Sequence, residues 1–204
     1  MEKYYLYIVL TRPKTVISKL IQLFKKDEYT HASISLNKGL DEMYSFARKY
    51  THNPFIGIFK RENINKGLYK VHKVLPGLIM EVEVSKEQYE KVQELIESFI
   101  ANSQRYKYNY KGLLYSVFNK EAANNDYRFM CSEFVYYLLK ESQITDFHIP
   151  RNLVRPQSLL NIRNRIIFKG NLKELESLDI NWDLDEIKTE SVVCSRAIGY
   201  HLPR

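Results

Sequence analysis

The chain reads as an α+β domain, an antiparallel sheet with a cysteine-bearing helix packed against it. Three observations lead there. Residues 4–11 are rich in Tyr, Ile and Val, and residues 30–36 alternate polar with small or apolar side chains, the patterns of half-buried strands. Between 30–36 and the return segment 43–47 lies Asn37-Lys38-Gly39-Leu40-Asp41, which is turn chemistry and makes the pair a hairpin. Two other stretches, one opening at Ser85 and one around Cys131, repeat their apolar residues at helical spacing.

In chain order, strand 4–11 ends at Pro13, and Val16, Leu20, Leu23 and Phe24 predict a short amphipathic helix over 15–24. After the hairpin, His52-Asn53-Pro54-Phe55-Ile56-Gly57 is a loop leading into an extended piece through Lys60. Residues 68–75 and 78–84 read as two further strands parted by Pro76-Gly77. Ser85-Lys86-Glu87-Gln88 has capping-box form and opens a helix to about Ile100, with Tyr89, Val92, Ile96 and Phe99 inward. Tyr106-Lys107-Tyr108-Asn109-Tyr110 is an aromatic loop, 111–118 is helical, and 121–126 is a polar connection. A short helix near 157–164 and a last strand over 166–170 complete the domain, taken as residues 1–172. Residues 173–204 lose periodicity and form a C-terminal extension.

The 204 residues suit one domain of ordinary size plus a small extra segment, and 45% hydrophobic residues suffice for a core. The formal charge of +7 fits a mixed basic surface or attraction to an anionic partner such as a membrane surface or cell-wall polymer. With no dense Lys/Arg run and no nucleic-acid module, nucleic acid is not an expected partner. Two cysteines give neither a disulfide framework nor metal spacing, and His52, His72, His148 and His201 have no ligand spacing, so no metal or cofactor is expected. No signal peptide and no membrane-spanning run is read, which leaves the cytoplasm as the expected location.

Chemistry concentrates on Cys131 and His31. A helix beginning at Cys131 would set its sulfur among orphan N–H groups and the positive end of the macrodipole, where a thiolate is stabilised. His31, on strand 30–36, is the candidate base. If Leu36 and Glu42 face each other across the turn, Ser45 shares a face with His31, one diagonal step away, as the third polar group. Glu42 is the alternative, brought round by a one-residue slip. A cysteine on an apolar stripe also suits a plain core position, and a strand histidine a satisfied structural one. Cys194 reads as packing, while Tyr108 and Tyr110 are candidates for lining a substrate cleft.

The pairing of Thr30-His31-Ala32-Ser33-Ile34 with the later Phe129-Met130-Cys131-Ser132-Glu133-Phe134-Val135 resembles the circularly permuted NlpC/P60 group of papain-like cysteine hydrolases, the YiiX/YaeF-like amidases among them. In that group the histidine strand precedes the cysteine helix. The resemblance extends to Glu42–Arg48, Asn53–Gly57, Tyr106–Leu114 and Ile167–Gly170, and the chain is similar to bacterial members of Firmicute type over about residues 1–172. It implies a permuted papain-like fold, Cys131 as nucleophile, His31 as general base and the third polar residue at Ser45, where many relatives carry His, Glu or another strong acceptor.

The expected function is therefore cysteine-dependent hydrolysis or acyl transfer at an amide or ester bond through an acyl-enzyme. The substrate would be a peptide, a cell-wall fragment or a lipid acyl group, with an anionic membrane surface as a further partner. A non-catalytic lipid- or peptide-binding module on the same fold is the alternative, and a partner-binding role for residues 173–204 is a third.

Overall fold

The computed structural model describes residues 2–13, 26–50 and 56–175. Six strands form one antiparallel sheet: β1 (Tyr4–Thr11), β2 (His31–Ser35), β3 (Met43–Arg48), β4 (Gly57–Glu62), β5 (Pro76–Val84) and β8 (Arg165–Asn171), in the order β4-β3-β2-β1-β5-β8. Two short strands, β6 (Lys107–Tyr108) and β7 (Arg128–Phe129), pair in parallel apart from it. The helices are α1 (Lys86–Ala101), α2 (Tyr110–Val117) and α3 (Cys131–Glu141). The α+β architecture read from the sequence is the one present. Among the described residues no helix is long and apolar enough to cross a membrane.

Side-chain alternation divides the sheet into two unlike faces. Leu6, Ile8 and Leu10 of β1, Ala32 and Ile34 of β2, Phe46 of β3 and Met80 and Val82 of β5 point into the larger core beneath α1 and α3. At its centre Phe46, Phe59, Phe99, Phe129 and Phe134 pack with ring centroids 5.0–6.1 Å apart. Helix α3 buries Phe134, Val135, Leu138 and Leu139 completely there, each contributing roughly 1.5–3 kcal/mol. That anchoring fixes where the helix begins. The opposite face carries Tyr7 and Val9 of β1 and Met43 of β3 into a smaller core with Tyr69 and Leu172.

The hairpin keeps the expected register: Ile34 pairs with Tyr44, Ser35 with Met43, and the Leu36 N–H reaches Glu42 O. Helix α1 begins with the capping box at Ser85 and buries Val92, Ile96 and Phe99. The strand expected over 68–75 is absent: Gly67–Val71 is a 3₁₀ turn, and β5 starts at Pro76 and runs unbroken to Val84. Pro76 stands first in its strand, where a missing N–H is tolerated. Gly77 continues it because a Cβ there would lie 2.5 Å from Leu172 Cδ1 and 2.9 Å from Leu10 O. The short helix expected near 157–164 is present as a 3₁₀ helix, Pro156–Asn161. Strand β4 runs two residues past Lys60, to Glu62. The helix expected over 15–24, with His52, His201, Cys194 and the extension beyond residue 175, lies outside the described residues.

Candidate active site

Helix α3 starts at Cys131, as its apolar spacing requires. Its first intrahelical bond runs from Phe134 N–H to Met130 O at 3.0 Å, so the helix makes no use of the N–H groups ahead of Phe134. Met130 has no side-chain oxygen with which to cap them. Glu133, in the first turn, instead reaches back to accept from Met130 N–H at 2.6 Å. Both of its oxygens also accept from Asn109 Nδ2 at 3.1 Å. Asn109 in turn caps α2 through Gly112 N–H at 2.9 Å and donates its own N–H to Phe129 O at 3.1 Å. The β6–β7 pairing and the Asn109–Glu133 contact therefore hold Tyr108 beside the helix start.

His31 opens β2 on the face that carries Ser33 and Ser35. Its ring stands beside the Cys131 sulfur, and its Nε2 lies 2.9 Å from Glu62 Oε2. The register explains how a carboxylate two strands away arrives there. Ser35 pairs with Met43 and Met43 with Glu62, so the three stand in one row on the His31 face. From that row the Glu62 carboxylate reaches diagonally, on the face where β3 carries only the small Ser45 and Ala47, to Ser33 and then His31. Ser33 Oγ donates to Glu62 Oε2 at 2.6 Å, and Tyr69 Oη, itself 3.4 Å from Thr11 Oγ1, stands 3.5 Å from the same oxygen.

The electrostatics follow from this row. Burial alone would lower the His31 pKa, but the Glu62 carboxylate and the charge on Cys131 outweigh it and hold the imidazole protonated well above its ordinary range. Burial opposes ionisation of Glu62 too, yet His31, Ser33 and the more distant Lys60 keep its pKa below the usual carboxylate value. Tyr108, which also stands beside the Cys131 sulfur, is pushed well above an ordinary phenol by burial and the nearby negative charge. It therefore keeps its proton and is available as a donor.

Of the residues singled out in the sequence, Cys131, His31 and Tyr108 stand together, and the ring's carboxylate partner is Glu62 rather than Ser45 or Glu42. Ser45 is fully buried but spends its hydroxyl on Ala32 O at 2.6 Å, not on His31. Glu42 sits at the far end of the hairpin, where its charge acts on Tyr44 and Tyr89. Glu62 is the acceptor that holds the ring. Tyr110 packs at a tilt against Tyr108, with centroids 4.7 Å apart, and lies beside Arg48, one step removed from the sulfur. Sequence reasoning missed Glu62 because it ended the strand at Lys60. The available signal was the alternation through Ile58, Lys60 and Glu62, opposite the inward Phe59.

Cys131 is only 4% exposed, with His31 and Tyr108 on one side of it and a largely apolar slot on the other. A slot reaches it, walled by Thr30, Tyr108, Leu113, Val117, Met130 and Val154, with about 20 Å³ of free space, little more than one water needs. The polar groups at its rim are largely committed: Ser132 Oγ donates to Val154 O at 2.6 Å, and Arg155 pairs with Asp27 at 2.7 Å. No protein-family model, curated protein or solved structure matches the chain.

Proposed function

We propose that this protein is a cysteine-dependent hydrolase or acyltransferase acting at an amide or ester carbonyl, built on a circularly permuted papain-like fold. The observation that carries the reading is His31, set between the Cys131 sulfur and the Glu62 carboxylate. The order of a histidine strand followed by a cysteine helix, with that helix packed on the sheet, supports the fold assignment.

In the proposed cycle the Cys131 thiolate attacks the carbonyl carbon, and a C–S bond forms as the carbonyl oxygen becomes an oxyanion. The Cys131 N–H at the helix start and the Tyr108 hydroxyl are the donors nearest that oxygen's expected position. Collapse expels the amine or alkoxide, which takes its proton from the His31 imidazolium. His31, now neutral, removes a proton from water or an acceptor amine. The resulting nucleophile cleaves the thioester and restores thiolate and imidazolium. Glu62 holds the ring and stabilises its cationic form without contributing a proton. The slot's apolar walls and committed polar rim favour a narrow, uncharged acyl group, such as the end of a lipid acyl chain or an apolar residue.

The test is alkylation by iodoacetamide across a pH series, with the modified cysteine located by peptide mass so that Cys194 is counted separately. An apparent pKa at Cys131 well below the free-thiol value of about 8.5 is expected. So is a mass adduct on Cys131, absent from Cys131→Ser, after exposure to p-nitrophenyl butyrate. A thiol at Cys131 that reacts normally or not at all would remove the enzyme reading and favour a binding module.

A further inference from the structure

Behind the His31–Glu62 pair, the edge of the sheet opens into a cleft of about 510 Å³ lined by Lys60, Arg61, Glu62, Asn63, Lys66 and Tyr69. That is room for a small molecule. Its polar groups can be accounted for one by one. Glu62 is taken up by His31, Ser33 and Tyr69. Asp41, at the rim, turns Oδ2 back over its own turn, 2.9 Å from where a Cβ on Gly39 would stand. Asn63 Oδ1 accepts from Asn65 N–H at 2.9 Å.

The cations are the groups left over. Among the described residues neither Lys60 nor Lys66 forms an ion pair. Arg61 commits only its Nε, to Asp41 O at 2.7 Å, and its two terminal nitrogens stay available. Gly67, in the left-handed region at φ +58°, has no side chain at the cleft's lip. Lys60 Nζ stands 3.7 Å from the position a Cβ would occupy there. Three positive side chains thus line a cavity with two carboxylates, Glu62 paired with His31 and Asp41 exposed at the rim.

We propose that this cleft binds a multiply charged oxyanion, the phosphate or pyrophosphate group of a small molecule or of a lipid headgroup. Arg61 can present a planar pair of N–H donors to such a group, with Lys60 and Lys66 as point charges on either side. The site shares Glu62 as a wall with the candidate active site, yet it does not depend on Cys131 being a nucleophile. Alkylation of Cys131 and anion binding can therefore fail independently.

The experiment is calorimetric titration of the full chain with inorganic pyrophosphate at neutral pH, with ionic strength held constant by chloride. It is run beside sedimentation with phosphatidylcholine vesicles, plain or doped with phosphatidate. Saturable binding of one pyrophosphate per chain is expected, weakened at least roughly tenfold in Lys60→Met/Lys66→Met by loss of two charge-assisted contacts. It should be unchanged in Lys91→Met, which alters an exposed α1 lysine paired with Glu94. Pyrophosphate binding without vesicle binding assigns a soluble ligand, and phosphatidate-dependent sedimentation that pyrophosphate competes away assigns a lipid. If the double variant folds poorly, Lys66→Met alone, on an exposed residue, must still weaken binding. Absence of both signals, or binding that survives the lysine substitutions, overturns the proposal.

Discussion

Glu62 and Glu133 are both buried, 5% and 1% exposed, and they flank the same cysteine, yet their surroundings drive them in opposite directions. Glu62 gathers a titratable ring and two hydroxyls on one oxygen, and its pKa falls despite burial. Glu133 is held by uncharged donors, the Met130 N–H and the Asn109 amide; burial outweighs them and the help of the Arg151 cation, and its pKa rises. Equal burial therefore serves two ends. At Glu62 the charge matters, because it keeps His31 cationic beside the sulfur. At Glu133 the acceptor geometry matters, because it ties the helix start to the strand that carries Tyr108.

Glu62 offers the largest contrast. Glu62→Ala leaves a buried ring and two hydroxyls without their acceptor and should cost roughly 3–5 kcal/mol in urea denaturation. Glu62→Gln keeps the shape but loses the charge, and it should move the alkylation pKa of Cys131 up toward the free-thiol value. The pH dependence has a definite sign. His31, with its folded pKa raised, contributes stability that is full below its unfolded value of about 6.5 and is lost as pH rises through the folded value. Glu62, with its folded pKa lowered, contributes above its unfolded value of about 4.3 and loses that contribution as pH falls through the folded value. The stability gap between wild type and Glu62→Gln should thus be widest between about pH 4.3 and 6.5, narrowing on both sides. A gap that does not vary with pH would show that Glu62 acts only by filling space.

Glu133 should give the reverse pattern. Glu133→Ala strands the Met130 N–H and the Asn109 amide and should cost about 2–3 kcal/mol, with a lower melting temperature. Glu133→Gln retains an acceptor oxygen and should recover most of that loss. Its alkylation pKa at Cys131 should stay the same or fall, since the substitution adds no negative charge near the sulfur. If Gln at 133 raised that pKa as Gln at 62 does, the distinction between charge and geometry would collapse.

What the sequence could disclose follows the same division between local and distant. The start of α3 at Cys131, the capping box at Ser85 and the hairpin register were legible because each is written within a few residues: an apolar stripe, a Ser-x-x-Gln, a Gly-containing turn. Glu62 was not, because β3 and β4 are joined by residues 49–56, too long a connection for turn chemistry to set the register. Without that register nothing places Glu62 opposite Met43. The 3₁₀ turn at Gly67–Val71 was misread for a related reason. Leu68 to Leu75 is apolar enough for a strand, but Pro76 and Gly77 belong inside β5, where Gly77 is fixed by the approach of Leu172 from far along the chain.

The smallest expected effect tests Ser45 directly. Ser45 lies on the His31 face, in a register that was read correctly, and still does not meet the ring, because its short hydroxyl is satisfied at 2.6 Å by the carbonyl of Ala32. Ser45→Ala removes that donor along with its need for an acceptor, and it keeps a small side chain on the face across which Glu62 reaches. The cost should be about 1 kcal/mol in urea denaturation, with the alkylation pKa of Cys131 unmoved. Ser45→Leu would instead add bulk on that face, separate Glu62 from His31 and reproduce the upward pKa shift of Glu62→Gln. If Ser45→Ala alone shifted the pKa, the hydroxyl would be orienting the ring after all. The contrast between a charge-bearing Glu62 and its neighbours would then have to be redrawn around serine.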